Sequence, residues 1–218
     1  MKVIKNFFIV IVLFILSQIS MTVFSIVQFS ITKPLSVLGL SAMILMVVAN
    51  IAILLWLAKK LKLIEFNTAW LTKKNMLIIL GSTVLLRIIA IGGTLLIQQL
   101  NGTQTSDNDA ALGVMFNNVN PLLLFLIIAI SAPIMEEIVF RAGIIKLLCE
   151  KLPILGVVLS SICFGLLHMA TDLPNFVLYA SMGLVFALAY YKTGRLEVSI
   201  MVHFFNNAIG AIAMILMQ

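Results

Sequence analysis

The chain has 218 residues, 62% of them apolar and 10% charged, with a formal net charge of +6 and a mean hydropathy of +1.20. Soluble domains run at about 45–50% apolar and about 25% charged, and a chain of this length could not hide so much apolar surface in water, which excludes a soluble enzyme or carrier. The basic excess does not mark a nucleic-acid binder either, because the lysines and arginines sit between apolar runs rather than on one face, so lipid headgroups are the expected acidic partner.

Each bilayer crossing needs about 20 apolar residues. Seven runs qualify, at 7–29, 35–58, 76–98, 121–140, 153–170, 174–191 and 196–217. The first follows a basic head but is long enough to span, with no small-x-small cleavage site after it, so it reads as a retained span rather than a signal peptide. Residues 59–75 read as an amphipathic stretch lying flat at the membrane surface. Residues 99–120 form a polar, acidic loop. The predicted fold is an all-α polytopic transmembrane bundle of about seven spans, divided into N-terminal spans over residues 1–119 and a four-helix core over 120–218. With the N-terminus in the cytoplasm, twelve of the fourteen basic residues fall on that side, Arg141 among them, and only Lys33 lies outside; this bias predicts N-in and C-out. Cys149 and Cys163 are expected to be free, buried thiols, and the Asn101-Gly102-Thr103 triplet has no assigned role.

An ionisable side chain inside a bilayer costs about 2.5–3.5 kcal/mol on insertion scales, so each one requires a reason. Six are found: Arg87, Glu136, Glu137, Arg141, His168 and His203, which include both histidines of the chain. Glu137 and Arg141 are four apart on a helix and can pair, while Glu136 is turned about 100° away and can face a cavity. Glu137 with Arg141 would then be scaffold, and Glu136 a general base; a charge cluster at the cytoplasmic end of a span is the plainer reading. Phe164 and His168 share a helix face, and so do His203 and Asn207. Packed helices often carry such polar contacts. Three spans that each bring a carboxylate, an imidazole or an amide instead suit hydrolysis: the carboxylate activates water, imidazoles orient it, and an amide N–H donates to the oxyanion. Glu136, His168 and His203 could alternatively hold zinc or another divalent metal; the metal-free version is favoured because Asn is a poor zinc ligand and the histidines are far apart in sequence. Arg87 could neutralise a carboxylate or meet a substrate, or could snorkel to an interface. No HExxH, GxSG or GxGD motif is present.

The ordered motifs Glu136-Glu137-Ile-Val-Phe-Arg141, Phe164-Gly-Leu-Leu-His168 and His203-Phe-Phe-Asn-Asn207 resemble the EExxxR, FxxxH and HxxxN signatures of the CAAX protease and bacteriocin-processing family, also called the Abi family or type II CAAX prenyl endopeptidases. The resemblance covers about residues 120 to 215. It implies an intramembrane protease in which Glu136 activates water with help from His168, His203 and Asn207 stabilise the oxyanion, and Glu137 and Arg141 support the site. The expected substrate is a hydrophobic or membrane-bound peptide: a leader, pheromone, bacteriocin or lipidated tail. The expected location is a bacterial plasma membrane, since the Lys-, Ile- and Asn-rich composition suits a low-GC bacterium. The alternative is a non-catalytic bacteriocin immunity or membrane scaffold protein. One geometric condition attaches to the site. At a rise of ~1.5 Å per residue, His203 lies near the cytoplasmic end of its span and His168 near the outer end of the fifth, so a common depth requires tilted helices or a fourth span that continues past Arg141.

Overall fold

The computed structural model describes residues 2–31, 33–169 and 171–218. These form eight helices and no strand: α1 (Lys2–Ser30), α2 (Val37–Lys60), α3 (Lys73–Asn101), α4 (Asp107–Met115), α5 (Pro121–Leu148), α6 (Pro153–Leu167), α7 (Leu173–Thr193) and α8 (Leu196–Leu216). The boundaries follow local chemistry. Ser36, Thr72, Ser106, Asn120 and Asp172 each accept a hydrogen bond from a backbone N–H in the first turn of the helix they precede. Gly102 and Gly194 close α3 and α7 in the left-handed conformation, with φ of 73° and 64°.

Polar contacts sort to two ends of the bundle. At one end Lys2 meets Glu150 at 2.7 Å, Lys146 donates to the Lys62 carbonyl at 2.6 Å, and Arg195 reaches Glu65 and Asn67. At the other end Asn101 donates to Asp172 at 2.5 Å, Gln28 to the Asn117 carbonyl, and Gln218 to the Phe116 carbonyl. The two termini lie at opposite ends, and the positive-inside bias predicts that the basic end faces the cytoplasm. The chain is a multi-pass membrane protein.

Six helices, rather than seven, are long and apolar enough to cross a membrane. The expected span at 153–170 is the 15-residue α6, about 22 Å long at ~1.5 Å per residue. It stops at Leu167 because His168 turns its ring Nδ1 onto the Phe164 carbonyl, and Met169 adopts a positive φ of 49°. The expected fourth span ended at 140, but α5 runs on to Leu148. Arg141 therefore belongs to the interior of the bundle and not to its cytoplasmic rim. Eleven basic residues remain on the cytoplasmic side. The extension also meets the depth condition: α5 descends about 18 Å beyond Glu136 before α6 climbs back about 22 Å to His168.

α5 is the most buried of the six spans. Its backbone is α-helical around Glu136 and Glu137 and π-helical on both sides, over Leu126–Ser131 and Ile138–Leu148. Pro133 has no N–H to give the carbonyl four residues back, and the preceding π stretch, with the Ala132 N–H bonded to the Ile127 carbonyl, accommodates it. Segment 59–75 leaves the helical conformation after Lys60 and is fixed to the bundle by buried Leu63 and Ile64. The polar loop at 99–120 contains α4, which caps the outer end. Both apolar clusters of the core draw residues from each side of position 120, and both cysteines are free thiols.

In a Cys149→Ala, Cys163→Ala background, a membrane-impermeant thiol reagent should label Thr103→Cys in intact cells and Thr68→Cys only after the membrane is opened. The reverse pattern would invert the bundle.

Candidate active site

Glu137 and Arg141 lie side by side with no solvent exposure, Arg141 Nε at 3.2 Å from Glu137 Oε2. The carboxylate's remaining capacity is taken up from α8. His203 donates from Nδ1 to Oε1 at 2.9 Å, and the Ser199 hydroxyl sits between Oε2 and the Phe186 carbonyl. The guanidinium donates to the Gly183 carbonyl at 2.9 Å. Its faces and edges are otherwise surrounded by Phe164, Phe186 and Phe140, with centroids 4.8, 5.3 and 5.6 Å from the guanidinium carbon. Phe164 does more than share a face with His168: it stacks on that imidazole at 4.1 Å and meets the His203 ring edge-on at 5.8 Å.

Glu136 points the other way, as its helical offset predicts. Its side chain is 23% exposed, and Oε2 lies 3.7 Å from His168 Nε2 and 3.8 Å from His203 Nε2 without a hydrogen-bond partner. The tautomers follow from the partners. His168 Nδ1 faces the Phe164 carbonyl at 2.7 Å, and His203 Nδ1 faces the Glu137 carboxylate. Both partners only accept, so both Nδ1 atoms carry hydrogen, and the neutral rings present Nε2 lone pairs toward Glu136. Three acceptors thus converge at Glu136 Oε2, an arrangement that a donor of two hydrogens such as water can satisfy. Among the described residues no three His, Cys, Asp or Glu side chains form a cluster able to hold a metal ion.

Asn207 stands near this group, with Nδ2 donating to the Ile128 carbonyl at 3.1 Å and Oδ1 accepting from Asn206 at 3.0 Å. Arg87 reaches in from α3 and donates through Nη2 to Asn206 Oδ1. Glu136, His168, His203, Asn207 and Arg87 all line one cavity of about 730 Å³. α1 and α3 both line it without packing closely on each other, and Asn108 and Asp109 of α4 also face it. Tyr179 also lines it, stacked on His168 at 4.9 Å with its hydroxyl held by Ser106 and Asp109.

The structure therefore gathers all seven residues that the sequence singles out. It adds Ser199, Asn206, Tyr179, Phe186 and the Gly183 carbonyl. Ser199 was within reach of the sequence, since it lies one turn before His203 on the same face; Gly183 and Tyr179 gave no signal, because their part comes from α7 packing on α5 and α6.

A Cβ at Gly183 would lie 2.9 Å from Phe164 Cβ, whereas one at Gly92 would meet nothing within 4 Å. Gly183→Ala should therefore lower stability by about 1–3 kcal/mol in a detergent melt, and Gly92→Ala should leave it unchanged.

Residues 118–209 match the family described as type II CAAX prenyl endopeptidase, Rce1-like. The chain is 36% identical over 107 residues to YdiL of Bacillus subtilis (strain 168), named as a candidate membrane peptidase, covering 49% of this chain and 42% of that one. It is 30% identical over 136 residues to the membrane-embedded CAAX protease MroQ of Staphylococcus aureus (strain USA300), covering 59% of this chain and 53% of that one. A third relative, the UPF0177 protein YvdC of Lactococcus lactis, is 25% identical over 210 residues, 95% of this chain and 77% of the relative. The chain thus spans about half the length of the first two. No solved structure matches it. The matched segment, which holds Glu136, His168, His203 and Asn207, is similar to the Rce1-like type II CAAX prenyl endopeptidase domain.

Proposed function

We propose that this protein is an intramembrane endopeptidase that hydrolyses a hydrophobic or membrane-associated peptide with a water activated by Glu136. The observation that carries this reading is the Glu136 Oε2 atom, which has no hydrogen-bond partner and stands between two histidine Nε2 atoms on the wall of a cavity. A carboxylate so placed beside water is a general base. The name of the Staphylococcus relative, a CAAX protease, supports the same reaction class.

In the proposed reaction, water donates one hydrogen to Glu136 and is oriented by His168 Nε2. As its oxygen bonds to the scissile carbonyl carbon, its proton passes to Glu136. The resulting oxyanion is met by the free N–H of Asn207, while the neutral His203 ring, held at Nδ1 by Glu137, keeps its Nε2 as an acceptor beside Glu136. Collapse of the tetrahedral intermediate breaks the C–N bond, and Glu136 returns the proton to the leaving amine. No step of this route calls for a metal. A cavity of this size lined by membrane-spanning helices suits a hydrophobic or membrane-bound peptide, whether a leader, a pheromone, a bacteriocin or a lipidated tail.

The test is cleavage of a panel of quenched apolar peptides by the purified protein. Glu136→Gln should lower the rate by about 10²–10⁴, and a strong chelator should leave the wild-type rate unchanged. Loss of activity to the chelator with recovery on adding zinc would overturn the metal-free mechanism. Equal inactivity of wild type and Glu136→Gln, with both still protecting cells from a bacteriocin, would replace the enzyme with an immunity protein.

A further inference from the structure

The function proposed above leaves an arginine unaccounted for. Arg87 lies mid-way along α3, where a charge is expensive, yet it pairs with neither glutamate of the site. Its Nη2 donates to Asn206 Oδ1, Asn206 Nδ2 donates to Asn207 Oδ1 at 3.0 Å, and Asn207 Nδ2 donates to the Ile128 carbonyl at 3.1 Å. The direction of this chain is fixed from both ends. A guanidinium can only donate and a backbone carbonyl can only accept, so each amide between them has one allowed orientation. Asn207 is thereby prevented from turning its carbonyl into the cavity. One of its N–H bonds is spent on Ile128, and the other is free.

From this geometry we infer that Arg87 is a positioning residue for the reaction, acting through Asn206 to hold the Asn207 amide with its free N–H toward the developing oxyanion. This rests on the peptidase reading. An amide free to flip would present an oxygen to a negative charge half of the time, and a cation at the head of the chain also strengthens each bond after it. Asn206, which the three motifs do not contain, is the link.

The test is a double-mutant cycle on the full-length protein with a peptide that wild type cleaves. Asn207→Ala should lower kcat by about 10²–10³ and Arg87→Met by about tenfold, with KM little changed. Arg87→Met added to Asn207→Ala should then have no further effect, because the amide it orients is gone. Arg87→Lys, which keeps a donor, should recover most of the rate. Asn206→Asp guards against misfolding of Arg87→Met: the carboxylate still accepts from Arg87 but has no N–H for Asn207, so the same loss of kcat is expected in a chain whose Arg87 keeps a buried partner. Multiplicative losses in the double variant would overturn the inference. So would an effect of Arg87→Met that falls on KM and vanishes when the peptide's terminal carboxylate is amidated, since Arg87 would then bind substrate. A readout independent of cleavage is the side-chain amide resonance pair of ¹⁵N-labelled Asn207, identified by its loss in Asn207→Ala. Arg87→Met and Asn206→Asp should shift it and Arg87→Lys should not; an unmoved pair would refute the relay even if no peptide is cleaved.

Discussion

A carboxylate and a guanidinium, both without solvent exposure in a bundle surrounded by lipid, must satisfy each other, and the rest of this structure is arranged around that requirement. The Coulomb attraction between Glu137 and Arg141 does not by itself offset the loss of water from both ions. The balance comes from bonds that other helices bring. Ser199 and His203 come from α8, the Gly183 carbonyl from α7, and Phe164 from α6, which lays its ring against the guanidinium. One ion pair on α5 thus fixes the relative positions of three further helices. The same residues that complete the pair, His203 and Phe164, also set the two imidazoles around Glu136.

The two adjacent carboxylates come out with opposite environments for a simple reason. A helix turns about 100° between neighbours, so when Glu137 is committed to the interior its neighbour must face elsewhere, and here it faces the cavity. Glu137 has every oxygen engaged; Glu136 has an oxygen with no partner. A group intended to take a proton from water needs that vacancy, and a group intended to hold helices together cannot have it. The continuation of α5 past Arg141 serves the same end, since the part of α5 beyond Glu136 and the whole of α6 are similar in length and so bring His168 to the level of Glu136.

Much of this was legible in the sequence. The apolar runs, the pairing of Glu137 with Arg141 and the separation of Glu136 all follow from composition and helical spacing. What failed did so for identifiable reasons. Hydropathy saw 153–170 as one span, but the helix ends when the His168 ring bonds back to Phe164, an event invisible to an average. Arg141 was assigned to the cytoplasmic rim because the apolar run was cut at the charge, whereas the structure neutralises the charge and continues. The partner of Arg87 was out of reach because Asn206 is 119 positions away and belongs to no motif. Tyr179 and Gly183 were silent for a similar reason: each acts through what packs on it.

Thermal unfolding of Glu136→Gln and Glu137→Gln in one detergent tests the central claim most directly, that one carboxylate holds the bundle and its neighbour is free for chemistry. Glu136→Gln should melt with wild type, since the altered oxygen has no partner to lose. Glu137→Gln should lose about 3–5 kcal/mol, because it leaves Arg141 buried without its counter-charge. If Glu137→Gln melts with wild type, or if the two variants are destabilised alike, the division of roles described here is wrong.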